Sequence, residues 1–192
     1  MDYKANFKSM AEATAADYAI IASYDERNIA GVPDRVLATF ETMEGHSFGF
    51  PVNRLTHSLQ TATFAREAGE SDEIVVAALL HDIGDDLAPE NHGNFAADIL
   101  RPYVSERTHW IVAHHDVFQG IYFFQYFGRD PNEREHYRGH PHFEACADFC
   151  SRYDQGAFDA SFVPQPLTAF APLVRQVLSR TPYSVWPRSH KF

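Results

Sequence analysis

The sequence predicts an all-α fold in a single domain. Apolar residues recur at three- and four-residue spacing along most of the chain, which is the pattern of amphipathic helices. No alternating run of apolar and polar residues is long enough to predict a strand. No linker or repeat divides the 192 residues, a length typical of one domain. We therefore expect one helical bundle that spans residues 1–192.

The periodicity predicts eight helices, and local signals mark several of their ends. The second helix follows Pro33 and the third ends before Gly69, because proline and glycine commonly flank helices. The fourth begins with a cap-like serine and is apolar nearly all round over residues 74–80, so we expect it to be the central helix. The predicted ranges are 11–23, 34–43, 53–68, 71–84, 93–100, 106–114, 142–153 and 167–178.

Composition narrows the possible functions. The chain has 16 Lys and Arg against 26 Asp and Glu, a net charge of -10, and an acidic surface repels nucleic acids and anionic membranes. The longest apolar run has seven residues, far below the roughly 20 of a membrane span. The N-terminus lacks a signal-peptide pattern. We expect a cytoplasmic monomer or homodimer in which Cys146 and Cys150 are small buried residues in a reducing compartment.

The 11 histidines decide the functional interpretation. Several lie with aspartates within or at the ends of predicted helices, where a polar group is costly unless it is paired or binds a ligand. A single such histidine is usually a hydrogen-bonded core residue. Several in one bundle instead indicate a dinuclear metal site. Imidazole and carboxylate without thiolate favour iron, manganese or a similar ion over a structural zinc. The candidates are His57, His81, Asp82, His92, His114, His115 and Asp154.

The order of these residues resembles the HD-domain superfamily over nearly the whole chain. Most of its members are metal-dependent phosphohydrolases, and the dinuclear branch also contains mixed-valent diiron oxygenases. The resemblance implies a buried dinuclear site of two iron ions, Fe(II) and Fe(III). One iron would be held by His57, His81, Asp82 and Asp154, and the other by the bridging Asp82 with His92 and His114. His115 is the alternative to His114, since helix phase decides between neighbours and the Ile-x-x-His spacing from Ile111 favours His114.

Two stretches are similar to oxygenases that cleave carbon–phosphorus bonds. They are Arg54-Leu55-Thr56-His57-Ser58-Leu59-Gln60-Thr61-Ala62 and Arg152-Tyr153-Asp154-Gln155. The resemblance implies that O2 and a small 1-hydroxyalkylphosphonate are the reactants. The expected substrate is (R)-1-hydroxy-2-(trimethylammonio)ethylphosphonate, with glycine betaine and phosphate as products. The alternative function is hydrolysis of a nucleotide or a phosphate ester by an HD-type phosphohydrolase.

Further residues are expected to contact the substrate. The rings of Phe48 and Phe50 can face a quaternary ammonium group, although two core phenylalanines are an equally good interpretation. Tyr122 belongs to an aromatic run over 117–127 that fits either an ammonium box or a packed helix or dimer face. Arg138 and His142 can donate to phosphonate oxygens. His140 and His142 fit an adventitious metal pair as well.

Asp85 departs from the pattern, because related proteins often have a histidine or lysine there. We expect Asp85 to act beside Asp82 in catalysis and substrate binding. Since an aspartate repels a phosphonate, its side chain should turn away, pair with an arginine or meet the ammonium group. His46 and His190 are expected to be solvated.

Overall fold

The computed structural model describes residues 3–45 and 47–181, so His46 and His190 lie outside the described residues. Within these ranges every regular element is helical, which confirms the predicted all-α class. The α-helices are α1 (Ala15–Ala30), α2 (Val32–Met43), α3 (Arg54–Glu67), α4 (Asp72–Leu80), α5 (His92–Leu100), α6 (Glu106–Phe123), α7 (Phe143–Phe149) and α8 (Leu167–Leu178). Shorter 3-10 turns span Met10–Glu12, Phe124–Phe127 and Glu133–Tyr137, and a π-helical turn spans Cys150–Asp154.

Helix α4 is the centre of the bundle, as its all-round apolar sequence predicts. All seven residues from 74 to 80 are buried. Helices α3, α6 and α8 pack against it, and both α5 and α7 pack against α6. Burial of a helix on all its faces leaves its C-terminal end inside the protein, which is where the polar cluster described below begins.

Side chains at the helix starts satisfy backbone N–H groups that have no partner within the helix. Thr14 and Asp17 form a reciprocal capping box at α1. The Asn53 side chain accepts a 2.7 Å hydrogen bond from the backbone N–H of Thr56 at α3. Ser105 caps α6 in the same way. These caps hold the first turns of α3 and α6, the two longest helices that contribute to the cluster.

Four predicted helices have other bounds in the structure. The helix expected over 11–23 spans Ala15–Ala30. The helix expected over 71–84 ends at Leu80, and the chain continues in turns. The helix expected over 106–114 continues to Phe123. The helix expected over 142–153 is α7 followed by the π-helical turn. Local sequence patterns define helix ends less precisely than helix centres, and α4, α6 and α7 also pack against other helices.

The cysteines and the aromatic run divide between core and surface. Cys146 and Cys150 are buried and free, as expected. In the aromatic run, Phe118 and Phe124 are buried in the core, whereas the rings at positions 122, 123, 126 and 127 are exposed. Among the described residues, no helix has both the length and the apolar character needed to cross a bilayer.

Candidate metal centre

Imidazole and carboxylate side chains from five elements meet in one buried cluster. They come from α3, the turn after α4, the first residue of α5, the middle of α6 and the end of the π-helical turn. In that order the residues are His57, the pair His81 and Asp82, His92, His115 and Asp154. All except His92 are almost completely buried. The elements that supply them are far apart in sequence, so the cluster depends on the packed bundle.

Every histidine of the cluster is oriented by a backbone carbonyl. The Nδ1 atom of His57 lies 2.9 Å from the carbonyl oxygen of Ala157. The Nδ1 atom of His81 lies 2.8 Å from the carbonyl oxygen of Ala78. The Nδ1 atoms of His92 and His115 lie 3.2 and 2.7 Å from the carbonyl oxygens of Pro89 and Val112, respectively. Because a carbonyl only accepts, Nδ1 carries a proton, and when the imidazole is neutral its Nε2 atom presents a lone pair to the cluster. This is the usual arrangement of metal-binding histidines.

The two carboxylate oxygens of Asp82 face two separate sets of nitrogen atoms. Its Oδ2 atom lies 3.2 Å from Nε2 of both His57 and His81. Its Oδ1 atom lies 3.1 Å from Nε2 of His115 and 3.5 Å from Nε2 of His92. The Oδ1 atom of Asp154 completes the first set, at 3.2 Å from His57 and 3.5 Å from His81. One carboxylate therefore lies between two sites, as a bridging ligand does.

The donor atoms fit metal ions. The Nε2 atoms of His57 and His81 are only 3.1 Å apart, and two lone pairs at that distance repel each other unless a cation or proton lies between them. The Oδ2 atom of Asp154 is buried without a hydrogen-bond partner, a costly state that a metal ion would relieve. Imidazole and carboxylate ligands suit iron, manganese or zinc.

The charges of the cluster stabilise one another. Burial raises the pKa of Asp154, but the charge of His81 and a hydrogen bond with His57 outweigh it, so the pKa lies well below its usual range. Burial lowers the pKa of His81, and the charges of Asp82 and Asp154 outweigh that effect and hold it well above the usual value. The charges of His81 and Arg54 likewise outweigh burial and hold the pKa of Asp82 well below its usual value. Both carboxylates are therefore anionic at neutral pH, the form in which they bind cations.

The expected ligand His114 is not in this cluster, and its neighbour His115 takes the position. The His114 ring stacks on Trp110 at 4.1 Å between centroids, and its Nδ1 atom contacts the Trp110 carbonyl oxygen. His115 lies on the buried face of α6 with Ile111 and Phe118. Adjacent helical residues point about 100° apart, so only one of the pair can face the cluster.

Two glycines allow the elements of the cluster to approach closely. A Cβ atom on Gly84 would lie 2.9 Å from the Phe95 side chain and 3.1 Å from Cα of His92. A Cβ atom on Gly93 would lie 3.2 Å from the His115 ring. Glycine at these positions brings the start of α5 against α6 and against the turn after α4, which places His92 beside Asp82.

Arg54 links Asp82 to Asp85 at the edge of the cluster. Its Nη2 atom contacts Oδ2 of Asp82, and its Nε atom lies 2.6 Å from Oδ2 of Asp85. The other Asp85 oxygen is 3.6 Å from Nδ1 of His92. Of the three alternatives for Asp85, the structure therefore has the pairing with an arginine. Burial, followed by the charge of Asp82, raises the pKa of Asp85.

The two phenylalanines expected at the substrate differ in their surroundings. Phe50 stacks on Phe158 at 5.3 Å, and Phe158 stacks on the His57 ring at 4.4 Å. The Arg54 guanidinium lies over the Phe50 ring at 5.2 Å. Phe50 thus adjoins the cluster, but its ring already contacts a cation. Phe48 is 58% exposed in a loop and has a positive φ of 50°, and Phe50 is 49% exposed. The interpretation of both as core residues was therefore wrong.

The remaining expected substrate residues lie outside the cluster. Arg138 is exposed and pairs with Glu135 and Glu144. His142 lies beside Trp110, whose ring also stacks on His140 at 4.3 Å. No contact described for either residue reaches the cluster. Tyr122 is half exposed near the end of α6, and burial is the main cause that raises the pKa of its hydroxyl.

Sequence reasoning missed Arg54, Phe158 and the choice of His115. The spacing of buried residues contained a signal for His115. Thr108, Ile111 and Val112 lie seven, four and three residues before it, and Phe118 lies three residues after it, so all four share its face of α6. Arg54 lies three residues before His57, and residues three apart are neighbours on the surface of a helix. Phe158 lies in a loop without periodicity, so no local pattern could place it on the His57 ring.

Comparison with known proteins agrees with this geometry. Residues 54–154, more than half of the chain, match the family described as HD domain, and every residue of the cluster lies in that range. The chain belongs to the HD-domain family. The expected superfamily is confirmed.

Within the family, the chain resembles phosphonate dioxygenases. The [1-hydroxy-2-(trimethylamino)ethyl]phosphonate dioxygenase (glycine-betaine-forming) of Leisingera caerulea is 38% identical over 66 residues, covering 29% of this chain and 34% of that protein. The hydroxymethylphosphonate dioxygenase of Gimesia maris is 41% identical over 61 residues, covering 30% of each chain. The chain thus spans about a third of the length of the curated relatives it matches.

Proposed function

We propose that the protein is a diiron oxygenase that cleaves the carbon–phosphorus bond of a 1-hydroxyalkylphosphonate. The observation that carries the proposal is Asp82, whose two oxygens face two nitrogen sets, in a chain similar to two phosphonate dioxygenases. Both relatives are named for phosphonates that carry a hydroxyl on the carbon bonded to phosphorus. We therefore assign this substrate class.

The ligand sets follow from the distances above. His57, His81, Asp154 and Oδ2 of Asp82 would hold one iron ion, and Oδ1 of Asp82 with His92 and His115 would hold the other. When bound, the Fe(II)/Fe(III) pair would supply the redox chemistry for O2. The chain provides rigid orientation through the carbonyl contacts of the histidines, and burial keeps water away from the reacting groups.

The proposed reaction balances without an external reductant. A 1-hydroxyalkylphosphonate and one O2 give a carboxylate and phosphate. The substrate carbon loses its hydrogen and its bond to phosphorus, and it gains one oxygen while phosphorus gains the other. O2 accepts four electrons, all of them from the substrate. We assign Asp85 to accept the hydroxyl proton, because its carboxylate lies at the less buried edge of the cluster, 3.6 Å from His92, and burial raises its pKa above that of an exposed aspartate.

The particular substrate we propose is (R)-1-hydroxy-2-(trimethylammonio)ethylphosphonate. A primary ammonium loses strong hydrogen bonds to water on entering a pocket, and a quaternary ammonium has none to lose. Asp85, the carboxylate best placed to replace that hydration, already pairs with Arg54. Tyr122 and Phe48 are the aromatic side chains assigned to the ammonium end. The trimethylated substrate should be preferred over its unmethylated analogue by roughly 5- to 150-fold in kcat/KM.

Oxygen consumption and product analysis test the function. Protein reconstituted with iron should consume one O2 per phosphate released, and 18O2 should label both the carboxylate and the phosphate. Asp82→Ala should neither consume O2 nor release phosphate. The control variant Asp25→Ala, which removes an exposed carboxylate on α1, should retain activity. Phosphate release from a nucleotide or phosphate ester without O2, with no turnover of the phosphonates, would instead establish the phosphohydrolase. A preference for the unmethylated amine would refute only the particular substrate.

A further inference from the structure

Arg54 is a buried cation that belongs to the cluster without being able to bind a metal. Its side chain is 7% exposed, and it contacts Asp82 through Nη2 and Asp85 through Nε. A guanidinium has only donors and does not lose its proton in proteins. A buried charge is tolerated when it is paired, and two carboxylates provide that pairing here.

The third nitrogen of this guanidinium is left for another partner. Within residues 3–45 and 47–181, Nη1 of Arg54 donates no hydrogen bond. Nη2 donates a hydrogen bond to Asp82. Nε lies 2.6 Å from an Asp85 oxygen but is buried without a hydrogen-bond partner, so Asp82 sets the direction of the group. Nη1 therefore offers two N–H donors in a defined direction, beside the carboxylate that faces both nitrogen sets.

We propose that Arg54 binds the phosphonate group of the substrate through Nη1; this inference rests on the proposed function. Asp82, Asp85 and Asp154 make the cluster repellent to a dianion, and a nearby guanidinium offsets that repulsion. Guanidinium is also the side-chain group best matched to phosphate-like oxygens. Arg138, the arginine expected for this task from the sequence, instead pairs with two exposed glutamates.

Binding of methylphosphonate, which has no hydroxyl to oxidise, tests the assignment apart from turnover. Calorimetry on metal-loaded protein should give a Kd on the order of 10- to 100-fold weaker for Arg54→Gln than for wild type. Arg54→Lys should recover part of the loss. Arg175→Gln, which removes an exposed arginine paired with Asp34, should bind as wild type does. An unchanged Kd in Arg54→Gln with full metal content would overturn the proposal.

A second measurement uses the unaltered protein, in case Arg54→Gln fails to fold or loses metal. In Zn(II)-loaded wild-type protein labelled with 15N-arginine, methylphosphonate should shift the side-chain resonances of Arg54 and leave those of Arg175 in place. Absence of that shift, or absence of methylphosphonate binding, would overturn the proposal. A shift at Arg54 in a protein that never consumes O2 with hydroxyphosphonates would support the anion site while refuting the proposed oxygenase.

Discussion

Asp82 offers one oxygen to each of two nitrogen sets, and among the described residues no other carboxylate belongs to both sets. We expect Asp82→Ala to lose metal from both positions, because each relies on one of its oxygens. His92→Ala should empty mainly the second position, leaving His57, His81 and Asp154 to hold the first. Elemental analysis of protein purified without chelator gives the metal content per chain. Equal metal content in wild type and Asp82→Ala would refute the bridging assignment.

The adjacent histidines of α6 form a matched pair of variants. His115→Ala should lower the metal content, since its Nε2 atom lies 3.1 Å from Asp82. His114→Ala should keep the wild-type metal content and lose only the stacking on Trp110, a contact worth about 0.5–1.5 kcal/mol. Metal analysis together with urea unfolding separates the two effects. The reverse result, metal loss in His114→Ala alone, would restore the ligand set expected from the sequence.

At the scale of single elements, the π-helical turn after α7 sets the direction of Asp154. A π turn accommodates one residue more than an α turn, and Ser151 is an exposed residue within it. Deleting Ser151 should restore α-helical register and turn the following residues by about 100°. Asp154 would then leave the cluster, and the Ala157 carbonyl would leave His57.

The Ser151 deletion should therefore reduce metal content, while Ser151→Ala, which keeps the length of the turn, should not. Circular dichroism on the same samples establishes that the deletion variant is still helical. A folded deletion variant with the wild-type metal content would show that the π turn has no part in placing Asp154.

For the whole molecule, pH should act in opposite directions on the metal-free and metal-loaded protein. Attraction to the carboxylates outweighs burial and raises the pKa of His57, His81 and His115 above the ordinary 6.5. A raised histidine pKa stabilises the folded state below the unfolded value and loses that effect as pH rises through the folded value. The metal-free protein should thus lose stability as pH rises above about 6.5.

Metal binding reverses this trend, because protons compete with metal ions for the same imidazoles. Metal affinity should rise with pH over the same interval, and saturating metal should raise Tm by an amount that grows with pH. Thermal unfolding with and without EDTA, from about pH 6 to pH 8, measures both trends. Asp82→Ala should show no metal-dependent shift in Tm. A wild-type Tm that is independent of metal throughout would contradict the assignment of the cluster.

Local sequence patterns were sufficient for the helical class, the central position of α4 and most members of the cluster. Periodicity reports which residues face the core, and the costly burial of histidine and aspartate marks a functional site within that core. Those signals depend on near neighbours along the chain. They led to His57, His81, Asp82, His92 and Asp154.

Tertiary structure decided the features that depend on contacts between distant elements. The full length of α6 determines that His115 rather than His114 faces Asp82. Packing of the first turn of α3 against the turn after α4 pairs Arg54 with Asp85, and a loop a hundred residues away brings Phe158 onto His57. Neighbouring residues of similar chemistry, such as His114 and His115, differ only in burial and in their distance from residues of other helices. Both quantities are set when the helices pack together.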